Sequence, residues 1–135
     1  MLFRSGTRAQ FEVLFADIFT TIDPMIDLQR TLRRSGVPTY IFSNTNALAV
    51  GFVRRHYPFF HHFHAYVFSF EEGAMKPKGT IYDSVERVTG LRGADLLYLD
   101  DREENVAAGV ERGWQIIHHL EPEPTLAAVK RTGLI

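Results

Sequence analysis

Short apolar runs alternate with amphipathic helical segments along most of this 135-residue chain. Runs rich in aromatic and β-branched residues predict buried strands, here at residues 40–42, 66–70, 96–99 and 115–118. Hydrophobic periodicity and turn residues predict helices at residues 8–19, 23–35, 47–56, 80–89, 105–112 and 124–132. Parallel strands that alternate with helices are joined by right-handed crossovers. The pattern therefore predicts an α/β fold with a Rossmann-like, three-layer parallel sheet.

Composition narrows the classes of function. The formal net charge is −1 and the basic residues are scattered, which disfavours nucleic-acid or membrane-surface binding. The absence of cysteine excludes a thiolate nucleophile and fits a reducing compartment. No apolar run is long enough to span a bilayer, and the N-terminus does not have the pattern of a secretory signal. We therefore expect a single-domain cytoplasmic protein with no membrane partner.

Polar residues occur where such a sheet binds ligands, at the carboxyl ends of its strands. Ser43 and Asn44 follow the first predicted strand, and Asp100 and Asp101 end the third. Between them, Lys76 precedes a proline and a helix. Hydroxyl and backbone N–H groups suit a phosphate, and adjacent carboxylates suit Mg²⁺.

Each of these signals has a structural alternative. Ser43 and Asn44 are also good helix N-caps, and a lysine such as Lys76 is by default a solvated surface residue. Acids such as Asp100 and Asp101 favour a helix N-terminus, although this does not explain why both sit at the end of a strand. These alternatives stay open on the sequence alone.

Taken in order, the three segments resemble the motifs of haloacid dehalogenase-like hydrolases. Residues 41–44 are similar to the second motif of that family, Lys76 in Gly-Ala-Met-Lys-Pro to the third, and residues 97–105 to the fourth. The combination of Ser-Asn-Thr-Asn with Gly-Ala-Met-Lys-Pro resembles the small sugar-phosphatase subgroup, such as the glucose-1-phosphate phosphatases. The resemblance implies a phosphatase that acts on a small phosphorylated metabolite with Mg²⁺.

The resemblance also implies a role for each residue. Ser43 and Asn44 would hold the phosphoryl oxygens, and Lys76 would neutralise their charge. Asp101 would be the Mg²⁺ ligand with Asp100 beside it. Asn105 would position the loop.

The family's first motif, Asp-x-Asp, carries the nucleophile and does not occur in this sequence. We expect residues 1–22 to be the return from a cap domain, with residues 23–135 forming a core that lacks its central first strand and most of the cap. Residues 2–5 also match the translation of a sequencing adapter, which suggests the hypothesis that residues 1–6 are an artefact. Such a truncated chain should be poorly folded and inactive alone.

Two other functions stay open. In a dehalogenase or phosphonatase relative, Asp17 would be the nucleophile, since an apolar run precedes it and Phe19 and Thr20 follow. A non-catalytic phosphate-binding module would keep the other motifs without a nucleophile. Residues 61–64 contain three histidines, but the phenylalanines around them favour a packed or solvated cluster over a metal site.

Overall fold

The computed structural model describes residues 12–15 and 23–134. The strands are β1 (Glu12–Phe15), β2 (Thr39–Ser43), β3 (Ala65–Phe68), β4 (Leu96–Asp100) and β5 (Gln115–His118). The helices are α1 (Asp23–Arg34), α2 (Ala47–His56), α3 (Ser69–Glu72), α4 (Gly79–Thr89), α5 (Glu103–Glu111) and α6 (Pro122–Arg131). Short 3-10 helices span Pro58–His62 and Gly93–Asp95.

Within the described part of the chain the strands form one parallel sheet in the order β3-β2-β1-β4-β5. From the central β1 the chain moves outward to β2 in one direction, and from β4 to β5 in the other. Right-handed crossovers therefore place α1 and α5 on opposite faces of the sheet. Every residue of β2 and β4 is buried, as expected for a sheet covered on both faces. The predicted α/β fold with a parallel sheet is confirmed.

The central strand was not predicted correctly. Residues 12–15 form β1, which pairs with both β2 and β4, so the expected helix at 8–19 is wrong over these residues. The expectation that the core lacks its central strand is wrong for the same reason. An apolar segment this short fits the spacing of a helix and of a doubly buried strand equally well. Here pairing along both edges determines the outcome.

An aromatic cluster fills the space between the sheet and the helices α4 and α5. The Tyr82 ring on α4 lies 5.2 Å from Phe42 and 5.1 Å from Trp114, centroid to centroid. Tyr98 on β4 lies 5.7 Å from Trp114. A Cβ on Gly109 of α5 would lie 3.2 Å from the Tyr98 ring, so a residue without a side chain allows this close approach. The cluster lies directly behind the carboxyl ends of β2 and β4.

None of the helices in the described ranges is long and apolar enough to cross a membrane.

Candidate active site

The first polar segment lies at the end of β2. Ser43 is the last residue of that strand and is buried. The cap of α2 is Asn46, whose Oδ1 accepts a hydrogen bond of 2.9 Å from Ala49 N. The helix-cap role suggested for Ser43 and Asn44 therefore belongs to Asn46, two residues after Asn44.

The side chain of Asn44 binds the backbone of Lys76. Its Oδ1 accepts a 2.8 Å hydrogen bond from Lys76 N, and its Nδ2 donates a 3.2 Å hydrogen bond to Lys76 O. The Lys76-Pro77 peptide bond is cis. Asn44 thus holds the backbone of Lys76, which is 32 positions later in the chain, next to the end of β2. A direct role of its amide in holding phosphate, as the resemblance implied, is restricted by this double contact.

We expect Asn44→Ala to lower the free energy of unfolding by about 1–3 kcal/mol, because two partly buried backbone groups lose their partner. Asn46→Ala, in the same turn, removes the α2 cap and should cost about 1 kcal/mol. The resemblance implies a phosphate ligand, and if one binds here only Asn44→Ala should also weaken its binding, since it releases Lys76. Urea denaturation and a phosphate titration of both variants test this. Equal loss of phosphate binding in the two variants would contradict a positioning role.

Lys76 is a buried cation between the ends of β2 and β4. Its Nζ donates to Phe42 O and to Asp100 Oδ2, each at 2.9 Å. The ammonium also lies 4.8 Å from the centroid of the Phe42 ring. The side chains of Lys76 and Asp100 are each 2% exposed. The alternative of a solvated surface lysine is therefore wrong.

Asp100 is held by hydrogen-bond donors on both carboxylate oxygens. Oδ2 accepts from Lys76, from the Tyr98 hydroxyl and, at 3.2 Å, from Asn105 Nδ2. Oδ1 accepts from Arg102 N at 3.0 Å. Burial alone would raise the pKa of Asp100, but Lys76 and the hydrogen bonds outweigh it and lower the pKa to about 2. Asp100 is therefore ionised at all physiological pH values.

Asp101 differs from its neighbour because it is exposed. Partial desolvation, followed by the adjacent Asp100 carboxylate, raises its pKa. Its backbone is fixed from β5: Asp101 O lies 2.9 Å from His118 Nε2, which must carry the proton because a carbonyl only accepts. The carbonyl of the preceding residue, Asp100 O, accepts a 2.8 Å hydrogen bond from His119 N.

The acidic pair fits Mg²⁺ in a limited way. Among residues 12–15 and 23–134 no group of three or more His, Asp or Glu side chains could hold a metal. Mg²⁺, however, keeps several waters and binds proteins through one or two carboxylates. Asp101 is the solvent-facing carboxylate of the pair, and its raised pKa indicates that a positive charge beside it would be favourable. The Asp100 carboxylate already accepts a hydrogen bond from Lys76, so it is better suited to position the site than to coordinate Mg²⁺.

The structure thus brings together Asn44, Lys76, Asp100 and Asn105, with Ser43 and Asp101 next to them in the chain. The alternative nucleophile Asp17 lies outside the described residues. Sequence reasoning missed Tyr98, whose hydroxyl binds Asp100. Its position two residues before Asp100 on a strand puts both side chains on one side, which was the available signal.

Comparison with known proteins supplies the family context. A family model described as haloacid dehalogenase-like hydrolase matches residues 3–113. No curated protein gave a significant match. Among solved structures, an uncharacterized protein from Corynebacterium glutamicum is similar with a TM-score of 0.72 and 22% identity, over 96% of this chain and 95% of that one.

Two further solved structures belong to larger proteins. A protein from Porphyromonas gingivalis described as a predicted HAD-like family hydrolase has a TM-score of 0.68 and 22% identity, over 79% of this chain and 56% of that one. A HAD family enzyme from Bacteroides thetaiotaomicron, in complex with magnesium and inorganic phosphate, has a TM-score of 0.64 and 20% identity, over 87% of this chain and 60% of that one. The chain thus spans little more than half of these two relatives, and likenesses at this identity show the fold.

Proposed function

The chain belongs to the haloacid dehalogenase-like hydrolases, and from this premise we propose that its site serves Mg²⁺-dependent hydrolysis of a small phosphorylated metabolite. The observation that supports this most is the buried Lys76 ammonium, which Phe42 O and Asp100 fix at the carboxyl edge of the sheet. Phosphoryl transfer asks a protein mainly for positioned positive charge and hydrogen-bond donors. A buried lysine held at two points provides both without reorganisation.

In this proposal some residues of the site bind the phosphate and Mg²⁺, and others position the binding residues. Ser43 and the backbone N–H groups that follow β2 would bind phosphoryl oxygens, while Lys76 balances their charge. Asn44 and Asp100 would position Lys76, and Asn105 would position Asp100. Asp101 would hold Mg²⁺, which supplies further charge neutralisation when bound.

The nucleophile is the open part of this proposal. The sequence has no Asp-x-Asp pair, but β1 lies between β2 and β4 and ends at Phe15. The central strand is the one that precedes the nucleophile in this family, and Asp17 follows Phe15 by two residues. This position of β1 favours the second candidate, a dehalogenase or phosphonatase relative in which Asp17 attacks the substrate. Asp17 itself lies outside the described residues.

Substrate turnover by the purified 135-residue chain tests the proposal. We expect phosphate release from small phosphate esters that requires Mg²⁺ and stops with EDTA. Asp17→Asn should abolish this turnover if Asp17 is the nucleophile, whereas Asp27→Asn, at an exposed position of α1, should leave it unchanged. The same assay tests the prediction that the chain alone is inactive, which rests on the absence of an Asp-x-Asp pair from the sequence.

The remaining outcomes choose between functions. Turnover of haloacids but not of phosphate esters would select the dehalogenase relative. Mg²⁺-dependent phosphate binding without any turnover would select the binding module. If inorganic phosphate does not perturb the NMR signals of Ser43 and Lys76 at all, the phosphate-site assignment fails.

A further inference from the structure

A separate pocket lies at the edge of the sheet opposite the active site. Its volume is ≈ 330 Å³, and its walls include Arg33, Thr39 and the three histidines His61, His62 and His64. These residues lie where β2 and β3 begin, whereas Ser43 lies where β2 ends. With a rise of about 3.3 Å per strand residue, about 13 Å separate the two ends of β2. The pocket is therefore distinct from the phosphatase site.

Among the residues that the structure describes, the walls of this pocket carry basic side chains and no acidic one. Arg33 forms no ion pair with any residue in the described ranges. The closest acid on α1, Asp27, is paired with Arg30 at 3.5 Å. Burial, followed by the charges of Arg33 and Arg30, lowers the pKa of His62. Arg33 thus brings a positive charge to the pocket that these parts of the protein do not balance, and the imidazole rings beside it carry N–H donors.

The pocket is also a built feature of the fold. Gln29, which is fully buried on α1, donates through Nε2 to Thr39 Oγ1 at 3.2 Å and to His62 O at 3.0 Å. His61 Nε2 donates to Arg54 O at 2.8 Å. The backbone of His62 is therefore held by α1 and the ring of His61 by α2, so this part of the pocket is formed before a ligand binds. Pre-formed sites lose less entropy on binding.

From this combination of shape, charge and fixed walls we propose that the pocket binds a multivalent oxyanion, namely the phosphate group of a small metabolite. A cation is disfavoured because the histidines do not form a metal-binding group in the described part of the chain. A macromolecule is disfavoured because the volume is at the lower end of small-molecule pockets, about 300–1,000 Å³.

NMR of the histidine rings in the 135-residue chain tests this proposal. Inorganic phosphate is titrated without Mg²⁺ at constant ionic strength, with chloride as the monovalent reference. We expect saturable shifts at His61, His62 and His64 with phosphate and not with chloride. The pKa of His62 should rise on binding, because the anion offsets the charges of Arg33, Arg30 and His61 that lower it. The other groups to consider are His64, which also lines the pocket, and Asp27, which is paired with Arg30.

Two variants at the end of α1 provide a matched comparison. Arg33→Gln should weaken phosphate binding at the histidines about 10- to 100-fold, the value of one charged hydrogen bond. Arg34→Gln removes the same charge from the next residue, which is also exposed but does not line the pocket, and should change little. Equal weakening by both variants would show non-specific attraction and overturn the proposal. Histidine shifts that do not saturate, or that chloride reproduces, would overturn it as well.

Discussion

Lys76→Met is expected to lower the free energy of unfolding by about 3–5 kcal/mol, the cost of leaving a buried charge without its partner. The substitution preserves most of the side-chain volume but removes the ammonium from Asp100 Oδ2 and Phe42 O. Asp100 then stays buried without the cation that lowers its pKa, so it must either keep a charge with no counter-ion or take up a proton, and both cost free energy. Urea denaturation followed by far-ultraviolet circular dichroism measures the loss. Phosphate binding should disappear in the same variant.

Lys78→Met is the matched control, because Lys78 lies two residues further along the chain and is exposed. It should change stability by less than about 0.5 kcal/mol. The double variant Lys76→Met with Asp100→Asn should recover part of the loss, since neither partner then carries a charge. If Lys76→Met is no more destabilising than Lys78→Met, the buried ion pair is not a stabilising element of this fold.

The two adjacent aspartates should respond to substitution in opposite ways. Asp101→Asn is expected to reduce Mg²⁺-dependent turnover about 10²- to 10³-fold, the effect of removing one transition-state charge contact. Its stability should be unchanged or slightly higher, because the repulsion from Asp100 is relieved. Asp100→Asn should instead destabilise the protein by several kcal/mol, about the cost of breaking a buried pair, since Lys76 loses its counter-charge.

Calorimetric Mg²⁺ titrations and thermal unfolding of both variants separate the two roles. Asp101→Asn should lose Mg²⁺ binding while keeping its melting temperature. An Asp101→Asn variant that still binds Mg²⁺ with full affinity would remove Asp101 from the proposed metal site. It would not affect the role of Asp100 in holding Lys76.

Sequence patterns predicted most of the sheet because β2, β3, β4 and β5 are apolar runs bounded by turn residues. The predicted strand 66–70 continues too far, since β3 ends at Phe68, where its pairing with Ser43 ends, and the chain turns into α3. β1 was missed because its identity as a strand depends on paired residues 26 or more positions away in the chain. Local periodicity contains no information about such partners.

The order of the motifs predicted which residues meet, but not all of their contacts. The sequence indicated that the acidic pair needs a cation, and Mg²⁺ was the expected partner. For Asp100 the structure instead provides the Lys76 ammonium, which leaves Asp101 as the candidate ligand. The contact between Asn44 and Lys76 depends on a loop path that no local pattern specifies.

The aromatic cluster behind the site gives the protein a built-in optical reporter. Trp114 is the only tryptophan, and its ring stacks on Tyr82 and meets Tyr98 edge-on. Tyr98 binds Asp100 and Tyr82 donates to Asn105 O at 2.6 Å, so each tyrosine joins the indole to a residue of the site. A ligand that displaces Asp100 or Asn105 should therefore change the intrinsic fluorescence of Trp114. Binding at the site could then be followed in the unlabelled protein.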